Sequence, residues 1–440
     1  MGVWRRSVLG RELALTHPDL VAEYDRVLPG WTPDDIPGSP YCIQAYEPDD
    51  RMGGWAGLDE ARRQLQSRGV RLILDFVPNH TAFDHLWVDS NPEYYVLGTE
   101  QDYQSAPNHF RAITHDGRTR YVACGRDPYF APWTDVAQLN YFNPDTRAVM
   151  RGTLRHLASH CDGVRCDMAM LVLNDVFEGT WRRLLRDAWP QPQEEFWPAA
   201  KATAGTLVFL AEAYWGLEGR LLDQGFDFAY GKELLDALHA HDAHRVRHSL
   251  GAPRHERFAR FIENHDEPRS AATLGSCLPA AAAIVAAAPG MRFFYDGQFE
   301  GRRAKAPVQL GRWPDEPEDA NIRALYDRVL AFADDDLFHQ GEWRMSHTSE
   351  AGDDSYGHIV AFGWKRDRDL ALIVANLASH SAQAHLDVMD DLRGRGDAFD
   401  FEDRLTGASY RWTRESLEHR GLYVRLEPGA AHLFKVHSRG

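Results

Sequence analysis

Four carboxylates fall where a sheet could carry them to one rim. Asp75 lies within RLILDFVPNH, Asp167 within GVRCDMA, Glu212 within LVFLAEAYW and Asp266 within RFIENHDE, each at or just past the end of a short apolar run. If those runs are parallel strands, their C-terminal ends converge on one pocket; in mid-strand the same groups would be buried unpaired at a cost of several kcal/mol. Arg165 stands two residues before Asp167, so the strand period of two puts both on one face, where a guanidinium holds the carboxylate ionised. Each acid has polar or aromatic company: Asn79 and His80, Tyr214 and Trp215, Asn264 and His265. Such an assembly suits cleavage of a glycosidic bond. One carboxylate attacks or stabilises the anomeric carbon and one carboxylic acid protonates the leaving oxygen, ~5 to 5.5 Å apart for a retaining mechanism.

Elements of the right kind flank these residues. From residue 57 onward amphipathic stretches alternate with nearly continuous apolar runs, the pattern of a parallel sheet covered by helices. The runs are VRLILDFV, DGVRCDMAM, TLVFLAEA, FDFAY, RFARFIEN and MRFFYDG, and six strands in βα alternation favour a (β/α)8 TIM-type barrel over an open sheet. Residues 80–145 hold Pro, Gly, Asn and aromatics without helical period and read as a small inserted domain. From about 343 turn-punctuated strands read as an antiparallel β-sandwich. The expected division is therefore a barrel of residues 1–79 and 146–342, an insert of 80–145 and a sandwich of 343–440.

Composition narrows the function. A chain of 440 residues exceeds the roughly 250 to 300 at which a single core stops growing. Its formal charge of −16 disfavours nucleic acid as a partner. The longest apolar run, Ala280 to Pro289, is about half of the ~20 residues that span a bilayer and reads as a buried helix, so no membrane partner is expected. The first residues, MGVWRRSVLGRELAL, lack a secretion signal, and the five scattered Cys form no C-x-x-C pair, which points to the cytoplasm. The expected partner is a small oligosaccharide; oligomeric state is left open.

The four segments resemble the ordered signatures of the α-amylase superfamily, glycoside hydrolase family 13: Asp75-Phe-Val-Pro-Asn79-His80, Gly163-Val-Arg165-Cys-Asp167, Glu212 after its apolar strand, and Asn264-His265-Asp266. Gln138-Leu139-Asn140 is similar to a fifth, weaker signature of oligo-1,6-glucosidase-like members. The resemblance covers nearly the whole chain. It implies that Asp167 is the nucleophile, Glu212 the general acid and then base, and Asp266 the group that binds sugar hydroxyls and stabilises the transition state. Asp75, His80, Arg165 and His265 would bind or order the same sugar, with Trp215 beside the acid. No organic cofactor is implied, and Asn79 is the one calcium ligand the resemblance suggests.

Several positions depart from the family pattern. The segment ending at Trp4 resembles the close of the second barrel strand, so the barrel is expected to be N-terminally incomplete, by an upstream start, a truncation or a different closure. Met170 and Leu171 stand where endo-acting relatives carry Lys and His, and Cys42 aligns where exo-acting relatives carry a carboxylate. Short α-glucosides are therefore the expected substrates. A transglycosylase resembling trehalose synthase or sucrose phosphorylase, and a truncated non-catalytic relative, are the alternatives. His241, His244 and His248 are spaced along one expected helix and read as a solvated face, and Cys166 as a core thiol facing away from the pocket.

Overall fold

The structure is a computed structural model in which residues 2–185 and 188–439 are described. The chain divides into two compact units, Met1–Tyr230 with Ala306–Pro314, and Gly231–Lys305 with Asp315–Gly440.

The first unit opens with β1 (Trp4–Arg6) paired antiparallel to β2 (Ile43–Pro48). Of the segment ending at Trp4, expected to close a parallel strand, Trp4 itself begins this ribbon, and Met1 lies outside the described residues. Trp4 is buried, its indole Nε1 donating to the carbonyl of Asp75 at 2.7 Å. Between the two strands lie helices Val8–Thr16 and Pro18–Val27, where the sequence reads as loop. Their signals are local: the Ser7 hydroxyl caps the first by accepting from Gly10 N, and Pro18 starts the second.

The parallel strands of this unit are β3 (Ile73–Phe76), β9 (Gly163–Cys166), β10 (Val208–Ala211) and β11 (Phe228–Tyr230), adjacent in that order. They are apolar and largely buried, as strands covered on both faces must be. Gly163 is required by close approach: a Cβ there would lie 2.8 Å from the carbonyl oxygen of Val208. Helix Pro144–Leu157, capped by Asn143 with Pro144 at its first turn, leads into β9.

Between β3 and that helix the chain builds a small antiparallel sheet from β4 (His80–Ala82), β5 (Leu97–Gly98), β6 (Phe110–His115), β7 (Arg118–Gly125) and β8 (Trp133–Gln138), ordered β4-β8-β7-β5 with β6 also on β7. Asp116 and Gly117 both take positive φ, 49° and 73°, and close the β6–β7 hairpin.

The second unit contains parallel strands β12 (Phe258–Arg260) and β13 (Met291–Arg292). With the four above, they correspond to the six strands read from the sequence. Helix Leu278–Ala287 between them is apolar on all sides and buried throughout except at Pro279, as expected of that alanine-rich run. No helix among the described residues is long and apolar enough to cross a membrane. The stretch expected as one helix across 232–250 is two, Lys232–His239 and Ala243–Leu250, because the Asp242 carboxylate caps a new start by accepting from Arg245 N. His241 therefore lies between helices, with φ 54° and its Nδ1 3.1 Å from Cys277 Sγ.

From Glu342 the unit is antiparallel. One sheet runs β14 (Glu342–Met345), β16 (Ile359–Arg366), β17 (Asp369–Asn376), β22 (Ala431–Arg439), β19 (Ala398–Asp403) and β20 (Ser409–Thr413) in spatial order. The other runs β15 (Thr348–Ser349), β18 (Ala382–Leu386) and β21 (Leu422–Leu426). Alternate residues such as Leu372, Val374, Leu386, Phe399, Phe401 and Phe434 fill the core between them.

Candidate active site

In the first unit three of the four acids meet on one arginine. Asp75 stands opposite Arg165 in the β3–β9 register, and Leu210 stands opposite Arg165 on the other side. Asp167 is one residue past β9 and Glu212 one past β10, yet both still belong to the ladder: Asp167 N donates to Phe76 O at 2.9 Å and Glu212 N to Cys166 O at 3.0 Å. Arg165 Nη1 donates to Asp167 Oδ1 at 2.7 Å and to Asp75 Oδ1 at 3.0 Å. Its Nη2 lies 2.8 Å from Glu212 Oε2 as an ion pair, off the line of an aligned hydrogen bond. The pairing of Arg165 with Asp167 expected from the strand period is observed; its service to Glu212 is additional.

All four side chains are buried. Burial works against the Arg165 charge, but Glu212, the Tyr230 and Tyr41 hydroxyls and Asp167 outweigh it and hold the guanidinium well above its ordinary pKa. Tyr41 and Tyr230 place their rings 5.5 and 5.7 Å from the guanidinium carbon, and Tyr230 Oη accepts from Arg165 Nε at 3.3 Å. Sequence reasoning missed both tyrosines. Tyr230 carried the same signal as the acids, a polar group at the end of a parallel strand.

Glu212 is surrounded by donors. Met168 N donates to Oε2 and Tyr214 Oη to Oε1, each at 2.8 Å. Cys166, between Arg165 and Asp167, is fully buried, and burial pushes its thiol well above the usual range. Met170 and Leu171 are buried in the short helix Ala169–Val172. Cys42 is buried too, its thiol donating to Asp135 O at 3.1 Å.

His80 starts β4, its ring 5.4 Å from that of Trp133. Burial lowers its pKa to about 4, only partly opposed by Asp135. His85, beside Asp84, is likewise lowered to about 4 by burial. Both imidazoles are neutral in the folded and unfolded chain above the ordinary value of 6.5. Between there and about 4 the unfolded chain binds protons that the folded chain refuses, so stability should fall as pH falls. The urea midpoint is expected to drop between pH 7 and pH 4.5. His85→Asn, which keeps an acceptor for Trp87 N, should drop less; equal slopes would refute the assignment.

Asn79 is spent on Gln138 of the fifth signature: Asn79 Nδ2 donates to Gln138 Oε1 at 3.2 Å and Gln138 Nε2 to Asn79 Oδ1 at 3.0 Å. Among the described residues no three His, Cys, Asp or Glu side chains gather as a metal site. Asn79 Oδ1 thus already accepts one hydrogen bond, and no step is assigned to a calcium ion.

Asp266 and His265 belong to the second unit and pair there, His265 Nε2 to Asp266 Oδ2 at 3.0 Å. Asn264 Oδ1 accepts from the main-chain N of Asp266 and of Glu267, both at 2.9 Å, and Lys305 Nζ donates to the Asp266 carbonyl. Just before them Glu263 is fully buried against Arg269 at 2.7 Å, an ion pair that sequence reasoning did not single out.

A βα protein with acids at the ends of three adjacent parallel strands gathered on one arginine, and a small sheet inserted after the first of those strands, β3, defines a recognisable class. The model of the alpha amylase catalytic domain matches residues 37–206. Among curated relatives, the chain is 26% identical to the alpha-amylase MalA of Haloarcula japonica over 79% of its own length and 48% of that protein. It is 28% identical to the trehalose-6-phosphate hydrolase of Escherichia coli over 42% of its length and 38% of that protein. The matched region thus spans half or less of either relative. Among solved structures, the noncanonic maltogenic alpha-amylase AmyB of Thermotoga neapolitana shares the fold with a TM-score of 0.66 at 19% identity, over 90% of this chain and 85% of that one. The chain is thus similar to the α-amylase superfamily, and its fold is the (β/α)8-barrel type with a C-terminal β-sheet domain.

Proposed function

We propose that the chain is a retaining α-glycoside hydrolase acting on short α-glucosides or α-glucan oligosaccharides. The observation that carries this reading is the placement of Asp167 and Glu212 on adjacent strand ends, both within 2.8 Å of one guanidinium. In the first step an Asp167 oxygen bonds to the anomeric carbon as the glycosidic bond breaks, and the Glu212 carboxylic acid gives its proton to the leaving oxygen. In the second, Glu212 takes a proton from water, whose oxygen displaces Asp167 and restores the starting anomer. Arg165 orients both carboxylates. The five cysteines are all free and buried, which supports a reducing, cytoplasmic setting.

The test is labelling with an activated fluorosugar that forms a slowly hydrolysed glycosyl-enzyme. The expected result is one label per chain on the peptide containing Asp167, together with hydrolysis of α-glucosyl fluoride. A folded chain that takes no label and cleaves no α-glucoside would support the non-catalytic alternative and end the proposal.

A further inference from the structure

One half-buried carboxylate of the first unit takes no part in the acid cluster. Asp135 lies in β8, where its main-chain carbonyl accepts from the Cys42 thiol. Among the described residues no ion pair and no side-chain donor meets its carboxylate; its own N–H and the His80 ring are the groups that act on it. Burial raises its pKa above the ordinary carboxylate value, and His80 opposes this only in part. An anion held this way costs free energy unless a partner from outside the fold compensates it.

The same residue lines a cavity of about 270 Å³, at the small end of the range for small-molecule sites and so matched to a single ring. Helix Val8–Thr16 supplies Leu13 to its wall, helix Pro18–Val27 supplies Leu20, and Pro132 with Trp133 leads into β8. Every lining residue belongs to the first unit. Of the described lining residues Asp135 is the one carboxylate, no lysine or arginine joins it, and His17 is the remaining titratable group. Apolar walls around a single placed charge are the usual build of a small-molecule site, and the sign of that charge selects the ligand. A carboxylate beside an indole suits an ammonium, which gains from both. We propose that this cavity binds a compact organic cation, a protonated primary amine on one six-membered ring, with its ammonium at Asp135 and its apolar flank against Leu13, Leu20 and Trp133. The Trp133 ring also stands 5.4 Å from that of His80, so the occupant borders a residue expected to hold the sugar. One chemistry then has two sources: a free cyclic amine, or the amino group of an amino sugar.

The experiment is calorimetric titration of the full chain at pH 7 with cyclohexylamine and its neutral counterpart cyclohexanol, and with glucosamine and glucose. Cyclohexylamine should bind roughly 10- to 100-fold more tightly than cyclohexanol, the range of one hydrogen bond to a charged group. Asp135→Asn should erase that ratio without lowering the thermal midpoint, since it removes an uncompensated charge. Leu13→Trp, which fills the cavity, should weaken both probes and carries the test if Asp135→Asn does not fold. A preference for glucosamine over glucose that is lost in the same variants marks the sugar-borne amine as the source; its absence, with the cyclohexylamine preference intact, marks the free amine. Equal binding of amine and alcohol overturns the proposal. So does a preference that survives both variants, because the amine then sits elsewhere, for example on the Arg165 acid cluster. Neither reading depends on turnover, so a chain that cleaves no α-glucoside still decides the matter.

Discussion

Arg165→Ala should destabilise the first unit by about 3 to 5 kcal/mol, the usual result of removing one partner from a buried charge cluster. The guanidinium is 8% exposed and lies within 3.0 Å of Asp75, Asp167 and Glu212. Without it three buried carboxylates face one another in a medium that screens them poorly. Arg165→Lys should recover little, since one ammonium cannot span the acids that two guanidinium nitrogens reach. Urea denaturation of the two variants measures the cost, and a loss under 1 kcal/mol would mean that the cluster is not held by charge. Adding Asp75→Asn to Arg165→Ala separates causes. Relief of repulsion should restore part of the loss, whereas a deficit from lost contact with the Tyr41 and Tyr230 rings would remain.

Glu212→Gln is expected to lower kcat/KM for maltotriose by about 10² to 10⁴, the range spanned by removal of a positioned acid. Glutamine keeps the shape and can still meet Met168 N through its carbonyl, so the fold should be preserved. Turnover of α-glucosyl fluoride should suffer less, because fluoride leaves with little help from an acid. Azide needs no base and should restore release of the sugar, giving the α-glycosyl azide if Asp167 carries the intermediate. Nuclear magnetic resonance of the product decides the matter. A β-azide, or no rescue of a folded variant, would remove Glu212 from the acid-base role.

The parts legible in the sequence are those written in short-range terms. Nearly continuous apolar runs announced the six strands, and acids at their ends announced Asp75, Asp167 and Glu212, because a parallel sheet leaves such groups only one place to ionise. What escaped depended on contacts distant in the chain. Tyr41 precedes the strand it serves by more than a hundred residues, and nothing in SPYCIQAY reveals that its ring covers Arg165. Other misses had a signal that was passed over. Asp116-Gly117 is a hairpin turn, Ser7 and Pro18 are helix starts, and Asp242 breaks what reads as one helix. The expected aromatic surroundings of the acid are in fact mostly polar: the groups at Glu212 are a main-chain N–H, a hydroxyl and a guanidinium.

The amides of Asp167 and Glu212 are rungs of the parallel ladder, tied to Phe76 O and Cys166 O. Hydrogen exchange at either should therefore track opening of the sheet. The positions of both acids are in this way fixed by the neighbouring strands' backbone. Loops around them can be rewritten, by mutation over generations or by design, while the two carboxylates stay registered to the strands beside them.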